Sequence, residues 1–84
     1  MLTLYVLTGC PYCEKVLEKV EALGVEVEKK DIVNNDFAKE LEARAGRRQV
    51  PYLVDSERGE EMLESDVINK YLEEHYGPEV ESNE

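Results

Sequence analysis

Residues 2 to 7, LTLYVL, are almost continuously apolar, the pattern of a strand covered on both faces. Further on the spacing changes: Val16, Leu17, Val20 and Leu23 recur at helical intervals, and Gly24 supplies the stop. The segment VEVEKKDI then alternates, Val25 and Val27 against charged neighbours, which predicts a second strand nearer a sheet edge. Asn34, Asn35 and Asp36 are capping types ahead of Phe37, Ala38, Leu41 and Ala45, a second helix closed by Gly46. VPYLVD, SERG and EEML read as a strand, a turn and a short strand. Ser65 is expected to cap a last helix whose Val67, Ile68, Tyr71 and Leu72 share a face and which ends at Gly77 and Pro78.

The predicted order is βαβ-α-ββα, an α/β arrangement in which a parallel unit and a hairpin share one four-stranded mixed sheet flanked by three helices. Eighty-four residues suffice for one modest core, so residues 1–77 are assigned to one domain. Residues 78–84 carry too little apolar content to pack and are expected to form an acidic disordered tail.

Charge narrows the partners. Twenty Asp and Glu against ten Lys and Arg leave a formal net charge of −10, a field that opposes binding to nucleic acid or to anionic membranes. The same excess costs stability by self-repulsion, which salt screens. The apolar N-terminal run has no basic flank and is too short to span a bilayer, so neither secretion nor anchoring is expected. A reducing, cytoplasmic setting follows as the expectation, and there a lone cysteine pair is a working pair more often than a permanent staple.

That pair is Cys10 and Cys13, on either side of Pro11 and Tyr12 at the start of the first helix. With Pro11 at the first helical position, the Cys10 sulfur faces the open N-terminal turn, where unpaired amides and the helix dipole favour a thiolate. The dipole contributes about 0.3–1 kcal/mol and charge-assisted hydrogen bonds about 1.5–3 kcal/mol. Cys13, one turn further in, can reach Cys10 and resolve a mixed disulfide. A zinc or iron–sulfur site would need ligands the chain lacks, since there is no third cysteine and the one histidine, His75, lies far along the last helix. No metal is assigned, and His75 is read as a helix-end residue favoured by the dipole.

GCPYC after a first strand, QVPYLV, and MLESDVI opening the last helix together resemble the glutaredoxins of the thioredoxin-like fold over residues 1 to 77. The resemblance implies that Cys10 is the nucleophile, Cys13 the resolving thiol and Tyr12 a wall beside the sulfur. It also implies a cis Pro51 that turns the backbone of Val50 toward a thiol substrate. In glutathione transferases, which share the fold, a Glu-Ser pair in the place of Glu64 and Ser65 holds the γ-glutamyl end of glutathione, and Asp66 could pair with its ammonium group. Arg44, Arg47 and Arg48 crowd before Gln49, and Arg48 or Gln49 is expected to contact an anionic thiol. Two features depart from the glutaredoxin pattern toward the transferases: Leu7 replaces a basic residue, and Met62, Leu63 and the Glu-Ser pair replace a double glycine.

The expected activity is reduction of glutathione-type mixed disulfides and protein disulfides by a monomer. It uses glutathione or a related γ-glutamyl thiol as co-substrate and holds no resident cofactor. A thioredoxin-like reductase indifferent to small thiols and an iron–sulfur carrier bridging a dimer are the alternatives.

Overall fold

In the computed structural model, which describes residues 2–77, the elements are β1 (Leu2–Val6), α1 (Pro11–Leu23), β2 (Val27–Asp31), α2 (Asn35–Ala45), β3 (Tyr52–Asp55), β4 (Glu60–Leu63) and α3 (Ser65–Tyr76). They form one sheet in the order β2-β1-β3-β4. β1 runs parallel to β2, with Leu2 opposite Val27 and Val6 opposite Asp31. β3 is antiparallel to both β1 and β4, with Tyr5 opposite Tyr52 and Tyr52 opposite Leu63. This mixed four-stranded sheet with three helices is the thioredoxin-like fold. The tail expected over 78–84 lies outside the described residues.

The alternation along β1 sets the layers. Leu2, Leu4 and Val6 point to one face and pack with Cys13 and Val16 of α1, Leu53 of β3, and Ile68 and Leu72 of α3. Tyr5 points to the other face and packs with Leu41 of α2 and Val54. β1 is therefore covered on both sides, and its near-continuous apolar run has that cause. β2, at the sheet edge, keeps only Val27 and the flanking Val25 against the core.

Three boundaries differ from the sequence expectation. β1 ends at Val6, because the chain turns away at once: the Cys10 amide donates to the Leu7 carbonyl at 3.0 Å, and Gly9 takes φ 88°. β2 begins at Val27, because Val25 belongs to the end of α1, its amide donating to the Val20 carbonyl across a left-handed Gly24. Ser65 does not cap α3 but is its first helical residue. Only Glu64 lies between β4 and α3, so it takes the cap position at φ 80°, ψ 130° and makes no side-chain cap bond. α2 shows the expected cap, with Asn34 Oδ1 accepting from the Asp36 amide at 2.9 Å.

One element of the core carries no apolar signature. The carboxylate of Asp55, at the end of β3, is fully buried. Its Oδ2 accepts from the hydroxyls of Tyr71 and Tyr76, each at 2.6 Å, and its Oδ1 from the amides of Glu57 and Arg58. It thus ties the last turns of α3 to the β3–β4 turn, at the sheet end opposite Cys10.

Candidate functional site

The C-terminal end of β1 delivers the chain through Thr8 and Gly9 to Cys10, which caps α1 with extended backbone, φ −83° and ψ 116°. Pro11 takes the first helical position, where its missing N–H leaves nothing unpaired. The Cys10 sulfur accepts a hydrogen bond from the Cys13 amide at 3.4 Å, so one free amide of the first turn is directed at it. The two thiols are unbonded to each other; Cys10 is partly exposed and Cys13 is 1% exposed. Burial pushes the Cys13 thiol up to about 12, and its contact with Cys10 adds to the effect. Cys13 is accordingly a neutral thiol shielded from solvent, while Cys10 offers a reachable sulfur. Thr8 Oγ1 donates to Asp31, which also accepts from the Val33 amide at 2.9 Å. Those two bonds, the Thr8 one first, hold the Asp31 carboxyl below the usual carboxylate range, and its charge reaches Cys13.

Beside the pair lies an open hollow of about 250 Å³, lined by Tyr12, Gln49, Val50, Pro51, Leu63, Glu64, Ser65 and Asp66. Three segments distant in sequence form it: the start of α1, the loop before β3, and the junction of β4 with α3. The Val50-Pro51 peptide is cis, the geometry the resemblance implies. Ser65 is buried in the wall, whereas Tyr12, Gln49, Glu64 and Asp66 are exposed at it. Of the ten residues singled out from the sequence, seven line this hollow, with Cys10 next to its Tyr12 wall and Cys13 beneath.

The tenth, Arg48, stands apart. Its Nε lies 3.6 Å from Glu42 Oε1, and Arg44 Nη1 meets Glu61 Oε2 at 2.7 Å. Among the described residues no Lys or Arg lines the hollow, and Lys15 places its Nζ 5.7 Å from the centre of the Tyr12 ring at the rim. The sequence reading missed Leu63. Its signal was present in the register, since an apolar residue closing EEML pairs with Tyr52 at the start of β3 and so stands beside Pro51. A larger hollow, about 930 Å³ and lined by Leu2, Val20, Leu23 and Tyr76 among others, contains neither cysteine.

Among the described residues no group of three or more His, Cys, Asp or Glu is arranged to hold a metal ion, and no helix is long and apolar enough to cross a membrane. His75 lies in the last turn of α3, its ring 4.5 Å from that of Tyr71.

Residues 4–80 match the family described as Glutathione S-transferase, N-terminal domain. No curated protein matches the chain. Among solved structures, glutathione S-transferase isozyme E7 from Drosophila melanogaster is 28% identical, with a TM-score of 0.76 over 93% of this chain and 36% of that one. A Nilaparvata lugens delta-class glutathione transferase is 29% identical, with a TM-score of 0.74 over 92% of this chain and 37% of its own. A glutathione S-transferase from the Antarctic clam Laternula elliptica is 28% identical, with a TM-score of 0.74 over 89% and 35%. The chain spans little more than a third of the length of these transferases.

Proposed function

Because this chain belongs to the family of glutathione S-transferase N-terminal domains, we propose that it takes glutathione or a related γ-glutamyl thiol as partner and uses Cys10 and Cys13 for thiol–disulfide exchange. The observation that carries this reading is the placement of the two sulfurs: one reachable at the open start of α1 and one buried directly behind it.

In the first step the Cys10 thiolate attacks one sulfur of a disulfide. That S–S bond breaks, a mixed disulfide forms on Cys10, and the other sulfur leaves as a thiolate that takes a proton from water. The Cys13 thiol, giving its proton to water, then attacks the Cys10 sulfur, forming the Cys10 to Cys13 disulfide and expelling the second thiol. The substrate gains two electrons and the pair loses two. Two equivalents of the small thiol return the pair to its reduced form. The neutral, buried state of Cys13 suits this order, because an incoming disulfide meets Cys10 first.

The hollow supplies the recognition. Glu64 and Asp66 meet the ammonium of the γ-glutamyl end, and Ser65 and the first amides of α3 meet its carboxylate. The backbone of Val50 beside Pro51 pairs with the thiol backbone, with Gln49 and Tyr12 as walls. Arg48, paired with Glu42, is given no part. The protein substrates are disulfide-bonded or glutathionylated proteins.

The family match also favours a second reading, in which the hollow presents the small thiol itself as the nucleophile toward an electrophile. Two measurements separate the readings. Cys13→Ser protein incubated with oxidised glutathione and with oxidised γ-glutamylcysteine should form a mass adduct on Cys10, and Cys10→Ser should form none. Absence of any adduct, combined with conjugation of 1-chloro-2,4-dinitrobenzene to glutathione that survives Cys10→Ser, would replace the redox reading with the transferase one.

A further inference from the structure

The redox reading leaves open what kind of disulfide approaches Cys10, and the charges around the sulfur bear on that choice. The hollow is walled by two carboxylates, Glu64 and Asp66, with no Lys or Arg in its lining. Of the arginines that the sequence clusters just upstream, Arg44 is engaged by Glu61 and Arg48 by Glu42, and the exposed Arg47 is not among the residues lining the hollow. Asp31, held ionised by Thr8 and Val33, stands at the same end of the sheet and acts on the buried member of the pair. Glu14 lies in the first turn of α1, and Leu7, at the chain turn into Cys10, is an exposed apolar residue. Lys15, over Tyr12, is the one cation at this rim that the contacts show, and behind the whole face stands a net charge of −10.

A disulfide bearing carboxylates finds Ser65 and the first amides of α3 for one of them but no Lys or Arg in the lining for the rest. One bearing amines or guanidinium groups meets Glu64 and Asp66 in the wall, with the Asp31 charge on the other side of the cysteine pair adding to the field. Resting on the redox reading, we propose that the preferred oxidised substrate of Cys10 is a disulfide flanked by positive charge, a class that includes small amine disulfides and half-cystines next to lysine or arginine in a polypeptide. The regenerating thiol is a separate, later partner. Complementary charge of this kind acts mainly on the encounter rate and fades with ionic strength.

The test uses the reduced full chain in single turnover against four disulfides: cystamine, oxidised glutathione, and one cysteine peptide flanked either by two lysines or by two glutamates, both peptides joined to the same leaving thiol. Acid-quenched samples are read by mass spectrometry for the Cys10 adduct and for the Cys10 to Cys13 disulfide. At about 20 mM salt the lysine peptide should react roughly tenfold faster than the glutamate peptide, and the ratio should approach one at about 0.5 M salt. The Glu64→Gln, Asp66→Asn double variant should lower that ratio at least about threefold. Cystamine matching the lysine peptide assigns the preference to the amine alone; a slower cystamine assigns it to charge carried on a polypeptide. Equal or reversed rates for the two peptides at low salt overturn the inference and leave the redox reading standing. No adduct from any of the four overturns both.

Discussion

At the residue scale the two cysteines share a motif and have opposite surroundings, and that difference is directly measurable. With Cys13 shielded and its thiol pushed up to about 12, iodoacetamide at pH 7 to 8 should label Cys10 alone in the folded chain, with Cys13 reacting only after denaturant is added. Peptide mapping by mass spectrometry reads the result, and comparable labelling of both in the native state would remove the division of roles. Asp55 carries a second prediction. Burial alone would push its carboxyl up, but the Tyr71 and Tyr76 hydroxyls and the Arg58 and Glu57 amides outweigh it and hold the carboxyl below the usual carboxylate range. A depressed carboxyl contributes stability that is complete above the unfolded value of about 3.9 and is lost as pH falls through the folded one. Asp55→Asn should therefore cost about 2 kcal/mol in urea unfolding at pH 6, and the gap to the parent chain should narrow as the pH drops below about 4. A gap that is constant with pH would assign the loss to shape and not to charge. These two residues also mark what the sequence could tell. Cys10 and Cys13 were legible because spacing and a following proline fix their place on a helix start. Asp55 was not, because an Asp before SERG looks like an ordinary turn residue until α3 brings two tyrosines over it.

At the scale of elements, hydrophobic period predicted β1, β3 and the three helices, because each has a buried face or, for β1, two, whereas β2 and β4, with no fully buried residue, were read from alternation and from turn signals. What it could not predict was how the elements join. The cap of α3 failed as an expectation because local residue type favours Ser65, whereas the hairpin register leaves one residue, Glu64, to make the turn from β4 into the helix. The two helix starts should respond differently to substitution. Asn34→Ala removes a cap bond and should lower stability by about 1 kcal/mol. Glu64→Ala removes no cap bond, and Glu64→Gly relieves a positive φ that side chains rarely adopt, so the glycine variant should be more stable than the alanine variant by about 1 kcal/mol. Urea midpoints of the three variants give the comparison, and an alanine variant as stable as the glycine one would show that the backbone at Glu64 is unstrained. The composition of the hollow was largely legible from the motif residues. Arg48 was not, since a run of arginines in sequence does not reveal that Glu42 sits within reach of one of them.

For the whole molecule the excess of acid must be set against the ion pairs. Among the described residues Lys19, Lys30, Arg44, Arg48 and Arg58 each pair with a carboxylate: Glu73, Glu40, Glu61, Glu42 and Asp55 respectively. All but the Asp55 pair join side chains that are both at least partly exposed, and pairs of that kind are worth about 0–1 kcal/mol each, falling further when salt is added. The repulsion among the remaining carboxylates is also screened by salt, and it works in the opposite direction. Among the described residues these pairs engage five of the ten Lys and Arg, against twenty Asp and Glu in the chain, so acid remains in excess. The repulsive contribution should win: raising sodium chloride from about 0.05 M to about 1 M should stabilise the fold by about 1 kcal/mol, seen as a rise of roughly 4–8 °C in the melting temperature of a domain this size. A fall in melting temperature would mean that the five pairs contribute more than exposed pairs ordinarily do. The same salt series separates stability from recognition. The fold should gain with ionic strength while the rate advantage of cation-flanked disulfides at Cys10 declines, because one effect comes from charges repelling within the chain and the other from those charges drawing in a partner.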